Sequence, residues 1–94
     1  MPLSFEWDEN KAKNNLAKHG VSFEEAATVF ADEHSLTIAD PKHSQLEDRL
    51  IILGKSPKRQ ILVAVHTIRG DNIRMISARR ASKKERAKYE EPSQ

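Results

Sequence analysis

Gln60-Ile61-Leu62-Val63-Ala64-Val65-His66-Thr67-Ile68, Arg69-Gly70-Asp71, Asn72-Ile73-Arg74-Met75-Ile76-Ser77-Ala78-Arg79: two long runs rich in aliphatic and β-branched side chains flank a Gly-Asp pair. That combination predicts a β-hairpin, with strands over 60–68 and 72–79 joined around Gly70-Asp71. A third strand over 49–54 ends at Gly54, and Ser56-Pro57-Lys58-Arg59 is the turn that links it to the hairpin. Before it, Ser35-Leu36-Thr37-Ile38-Ala39 reads as a short strand and Asp40 to Asp48 as a polar loop. After the hairpin, Ser82-Lys83-Lys84-Glu85 is a capping box that opens a basic helix ending near Glu91-Pro92.

The N-terminal third is helical. Asp8 is placed to cap a helix, Ala12, Leu16 and His19 fall on one of its faces, and Gly20 ends it. Val21 and Ala26 form a staple around a second capping box, Ser22 to Glu25. Phe23, Ala26, Ala27 and Phe30 form that helix's buried stripe. Phe5 and Trp7 alternate with Glu6 as a short extended segment does. The expected fold is α+β: a short β, two α, a four-stranded antiparallel meander and a C-terminal helix, with the helices on one side of the sheet. Helix–Gly–helix suggests a DNA-reading helix-turn-helix, but the second helix would lead into the groove with Glu24 and Glu25.

With 94 residues the chain is one domain, 1–94. It has no cysteine, which excludes disulfides, thiolate zinc sites and thiol catalysis. No apolar run approaches a membrane span, and the first residues lack a signal-peptide pattern, so the expected location is the cytoplasm, with no membrane partner. A net charge of +2 conceals an asymmetry. Residues 1–48 hold four basic and ten acidic side chains, and residues 49–88 hold twelve basic and two acidic. A basic half built on strands and a helix is the footprint expected for a polyanion, although charge alone also fits a solvated surface.

His66, Thr67, Arg69, Arg74, Ser77, Arg79 and Arg80 lie on or beside the hairpin. Charged residues inside apolar strands either mark an exposed face or form a site. The register decides which of them meet. If 68 pairs with 73, then His66, Ser77 and Arg79 share one face, and Thr67, Arg69 and Arg74 the other. A three-residue loop with a bulge instead brings His66 to Arg74. Such a set fits cleavage of RNA at the 2′-hydroxyl, where histidine transfers protons and arginines hold the phosphorane charge. No metal or other cofactor is needed, and the basic half lacks the clustered carboxylates of a metal-dependent nuclease. The candidate catalytic residues are His66, Arg74, Ser77 and Arg79. Arg69, Arg80, Lys83, Lys84 and Tyr89 are the candidate RNA-binding residues. His19 reads as packing or dipole complement. His34 and His43 fall in loops, and Asp40, His43 and Glu47 are near one another in sequence. The basic half has no aromatic platform for base stacking beyond Tyr89.

Phe5 to Asn14, Lys18 to Ala26, Asp40-Pro41, Arg49 to Gly54, Ile73 to Ala81 and Glu85 to Glu90 resemble the corresponding stretches of BrnT toxins, in one order along almost the whole chain. The resemblance implies a RelE-like fold and a ribonuclease toxin of a type II toxin–antitoxin system. It also implies an mRNA substrate, translation inhibition, and a BrnA-like ribbon-helix-helix antitoxin that neutralises the toxin and alone contacts operator DNA. By the same resemblance, Arg74, Ser77, Arg79 and Arg80 fall where RelE-like toxins keep cleavage residues. The antitoxin segment that meets a basic site is expected to be acidic and partly disordered when free. The alternative from the residues alone is a non-catalytic basic module that docks an acidic protein or a nucleic acid.

Overall fold

The apolar runs Leu50 to Leu53 and Ile61 to Val65 do not alternate with polar residues, so both faces of the strands they form must be covered. The computed structural model, which describes residues 3–40 and 48–91, covers them from two sides. In chain order the elements are β1 (Ser4–Glu6), α1 (Glu9–His19), α2 (Phe23–Thr28), β2 (Leu36–Ala39), β3 (Arg49–Lys55), β4 (Ile61–Arg69), β5 (Asn72–Arg80) and α3 (Lys83–Glu90). A single 3₁₀ turn, Val29–Ala31, continues α2.

The sheet has five strands in the order β1-β5-β4-β3-β2. The four-strand meander is antiparallel as expected. The first strand is an addition to it, pairing parallel to β5 with Phe5 opposite Ile73 and Glu6 opposite Arg74. This turns the meander into a mixed sheet and covers part of the β5 edge, which would otherwise expose unpaired backbone.

On the near face of the sheet, Val21, Phe23, Ala26 and Val29 pack against Ile52, Leu62, Ala64, Ile73, Met75 and Ala78. Phe5 and Phe30 meet edge to face, as do Trp7 and Phe23. The far face carries a smaller cluster, Leu53, Ile61 and Val63, roofed by Ala81 and Tyr89. The helices therefore lie on both sides of the sheet, not on one. Two-sided burial of β3 and β4 requires it, and α3 supplies the second cover without burying any residue of its own fully. Gly54 allows the closest approach. A methyl there would sit 3.0 Å from Cβ of Val29, so a side chain at this position would push the 3₁₀ turn away from β3 by a few tenths of an ångström.

The caps form at the expected positions. Asp8 accepts from the N–H groups of Asn10 and Lys11, and Gly20 closes α1 at φ +70°. Ser82 and Glu85 make a complete capping box. Ser22 caps α2, but Glu25 does not reach back to it. Its carboxylate accepts instead from the Ser56 hydroxyl at 2.8 Å and anchors the β3–β4 turn.

The buried face of α1 also differs from expectation. Leu16 is 51% exposed, and Asn15 takes the inward position between Ala12 and His19. The Asn15 amide donates to the carbonyls of Val21 (3.0 Å) and Ala78 (2.8 Å), and its oxygen accepts from the Ala78 N–H (3.1 Å). β1 stops opposite Arg74, so a side-chain amide takes over where strand pairing ends. A leucine cannot do that.

Candidate functional site

The hairpin turns on two residues. Arg69 pairs with Asn72, and Gly70 takes φ +60° at the first loop position, where a type II′ turn needs it. The register places Ile68 opposite Ile73 and His66 opposite Met75. One residue further it slips, and Val65 faces Ser77. Ile76 is thus an extra residue in β5, a β-bulge.

The bulge decides which side chains meet. Strict alternation would put Arg74 on one face and Ser77 and Arg79 on the other. With Ile76 inserted, Arg74, Ser77 and Arg79 all pair with far-face residues of β4, namely Thr67, Val65 and Val63. Arg69 and Asn72 end the same row. Two carboxylates complete it. Glu6 accepts from Arg74 (3.0 Å) and Asn72 (3.0 Å) and lies 3.6 Å from Arg69. Glu85 takes both terminal nitrogens of Arg79, at 2.8 and 2.9 Å, and accepts from the Ser82 N–H. Ser77 stands between these pairs, half-buried, its hydroxyl in no side-chain hydrogen bond among the described residues.

His66 is not in this row. It lies on the near face, 2% exposed, its ring edge-on to Phe30 at 4.8 Å and Nδ1 3.3 Å from the Ala64 carbonyl. Burial lowers its pKa, so it is held neutral. The sheet separates it from Arg74, Ser77 and Arg79, against the expectation that it works beside them. Thr67 is on the far face, but its hydroxyl donates to the Asp48 carbonyl.

Tyr89 is also committed within the fold. Its ring packs on the smaller cluster under Lys55, and its hydroxyl donates to Asp32. Burial and the Asp32 carboxylate push the phenol up to about 12. Asp32 accepts from the N–H groups of His34 and Lys55 as well, so Tyr89 ties the end of α3 to the segment before β2. Lys83 and Lys84 are exposed on the first turn of α3. Arg80 faces away from Arg79 and donates through Nε to Gln60 at 3.0 Å. His43 and Glu47 lie outside the described residues. Among the described residues no group of three or more His, Cys, Asp or Glu could hold a metal ion, and no helix is long and apolar enough to cross a membrane.

The partners Glu6, Asn72 and Glu85 were not among the residues expected in the site. Glu85 is legible only as a cap, and Glu6 only as the polar member of an alternating triplet. Hydrogen bonds from Asn72, then Arg74, hold the Glu6 carboxyl below its ordinary range. Bonding to Arg79 above all brings Glu85 down to about 2 from an ordinary 4.5. A carboxyl depressed in the folded state stabilises above its unfolded pKa and loses that contribution as pH falls through the folded value. Thermal melts of the parent are therefore expected to lose more stability between about pH 4.5 and pH 2 than those of Glu85→Gln. Superimposable profiles would show that the carboxylate does not tether α3.

The family model described as the ribonuclease toxin BrnT of type II toxin–antitoxin systems matches residues 7–85. Among solved structures, a crystal structure of the Brucella abortus ribonuclease toxin BrnT is similar, with a TM-score of 0.69 and 25% identity, over 87% of this chain and 100% of that one. No curated protein matches.

Proposed function

The chain belongs to the BrnT family of type II toxin–antitoxin ribonuclease toxins, and from that premise we propose that it cleaves mRNA without a metal, using the far-face row of β5. The observation that carries this reading is the Ile76 bulge, which gathers Arg74, Ser77 and Arg79 beside two carboxylates. Arg74 and Arg79 stand four ladder positions apart, about 13 Å along the strand. A phosphate over Ser77 is flanked by a guanidinium on each side.

The Glu6 carboxylate accepts the 2′-hydroxyl proton as the 2′-oxygen bonds to phosphorus. Arg74 and Arg79 bind the charge that grows on the phosphorane oxygens, and Ser77 donates to one of them. The P–O5′ bond then breaks, and the 5′-oxygen takes its proton from solvent. The products are a 2′,3′-cyclic phosphate and a 5′-hydroxyl. The Glu6 and Glu85 pairs are solvent-accessible and individually weak, so an incoming phosphate can displace either carboxylate from its arginine. Arg69, Lys83 and Lys84 flank the row and add phosphate contacts. His66 serves the core, and Tyr89 holds α3.

The protein acts in the cytoplasm, arrests growth by stopping translation and is neutralised by a BrnA-like ribbon-helix-helix antitoxin. Operator DNA is reached only through that antitoxin. The test is cleavage of single-stranded RNA by the purified protein in EDTA, with product ends identified by mass spectrometry. Cyclic phosphate ends in EDTA are expected. Cleavage that appears only with Mg²⁺ would overturn the metal-free route. A folded protein that binds antitoxin and cuts no RNA, even with translating ribosomes, would assign the basic face to docking.

A further inference from the structure

Not every cation of the basic half is paired as Arg69, Arg74 and Arg79 are. At the end of the sheet away from the Gly70 hairpin, Lys55 from β3, Arg59 from the β3–β4 turn, Arg80 from β5 and Arg86 from α3 converge on an open cleft of about 570 Å³. Among the described residues none of these four has a carboxylate within ion-pairing distance, although Glu90 also lines the cleft. Ile61 and Ala81 contribute apolar wall. We propose that this cleft is a second phosphodiester-binding subsite, which holds the RNA backbone beyond the reacting bond through contacts that ignore base identity. The inference rests on the ribonuclease reading and adds to it a place for flanking substrate.

Three observations favour RNA backbone as the occupant. The cleft adjoins the proposed cleavage row on the far face, where Ile61 and Ala81 pack with Val63, the residue opposite Arg79, and where Arg86 follows Glu85 on α3. An RNA strand lying along the far face of β5 reaches it past Arg79. One arginine is also held in place, and another sits on a constrained backbone. Gln60 fixes Arg80 through Nε and leaves its two terminal nitrogens without a partner among the described residues. Arg59 is the only non-glycine residue at positive φ among the described residues, at 67°, held there by its N–H bond to the Ser56 carbonyl at 2.8 Å. A left-handed arginine is a strained conformation that glycine would relieve. Guanidinium groups match phosphate oxygens in bidentate geometry. The third observation concerns stacking. The one aromatic ring near the cleft, Tyr89, already lies beneath Lys55 with its hydroxyl on Asp32, which points to phosphate contacts rather than base reading.

The test combines Arg59→Gly, which relieves the backbone, with Arg86→Ala, which replaces an exposed helix residue. Circular dichroism and thermal melts check the fold. Affinity is measured by anisotropy over a range of KCl with a mixed-sequence RNA made uncleavable by 2′-O-methyl groups. Kinetics are measured on the unmodified RNA. Binding is expected to weaken about tenfold, and the slope of log affinity against log salt to fall by about 0.7 for each cation removed. KM should rise while kcat holds, because the reacting groups are untouched. A variant with the parent's affinity, salt slope and KM would overturn the subsite and leave the ribonuclease reading standing. So would a variant that loses only antitoxin binding, which would assign the cleft to the protein partner. A parent that neither binds nor cuts RNA would overturn both readings.

Discussion

Arg79→Ala is expected to abolish growth arrest on expression and to slow RNA cleavage by about 10²–10³-fold, the usual cost of removing one preorganised donor from a developing oxyanion. The reason is geometric. Arg79 is the far-face arginine two ladder positions beyond Ser77, and a bound phosphate takes over the fork that Glu85 occupies in the free protein. The fold should survive. The Arg79–Glu85 pair is partly exposed, and such pairs contribute up to about 1 kcal/mol. At this chain length that corresponds to a melting shift of about 4–8 °C at most. Glu85→Gln is the control, because it loosens the same tether to α3 and leaves the guanidinium in place. Cleavage retained in Glu85→Gln and lost in Arg79→Ala puts the guanidinium in the reaction. Equal losses in both would make Arg79 a positioning residue for α3. Arg79→Lys should fall between parent and alanine, since an ammonium keeps the charge and loses the fork.

The second large effect is on stability. Asn15→Leu should lower stability by about 3 kcal/mol or more, because it strands the N–H and C=O of Ala78 in the core at about 1–3 kcal/mol each. Melting should fall by about 15 °C. Leu16→Ala, one position along the same helix, should cost at most about 0.5 kcal/mol, since Leu16 is half exposed. Hydrophobic patterning alone orders these two the other way, so melts of the pair decide between the readings. An Asn15→Leu variant that melts within a few degrees of the parent would mean that β5 finds other partners for its backbone there. Ala78 follows Ser77 directly, so a folded Asn15 variant should also cut RNA more slowly.

Much of the fold is legible locally. Asp8, Ser22 and Ser82 announce helix starts, Gly20 announces a stop, and Gly70-Asp71 announces the hairpin, because each signal acts within one turn of chain. Apolar runs without alternation in β3 and β4 are likewise readable as doubly covered strands, and reading them so would have placed helices on both sides of the sheet. The family resemblance is carried by whole stretches in order, and the match over residues 7–85 agrees with it. The basic hairpin, too, stands out by composition alone.

The assembly of the site is another matter. Glu6 meets Arg74 across 68 residues because β1 runs parallel along the β5 edge, and nothing in Phe5-Glu6-Trp7 specifies that edge. The bulge at Ile76 exists only as a count of residues in β5 against those in β4, so neither strand shows it alone. Side chains in a strand alternate with period two, and one inserted residue moves everything beyond it to the other face. That is why the sequence determined which cations this protein carries on its hairpin. Only the tertiary structure decided that Arg74, Ser77 and Arg79 share a face while His66 is buried behind it.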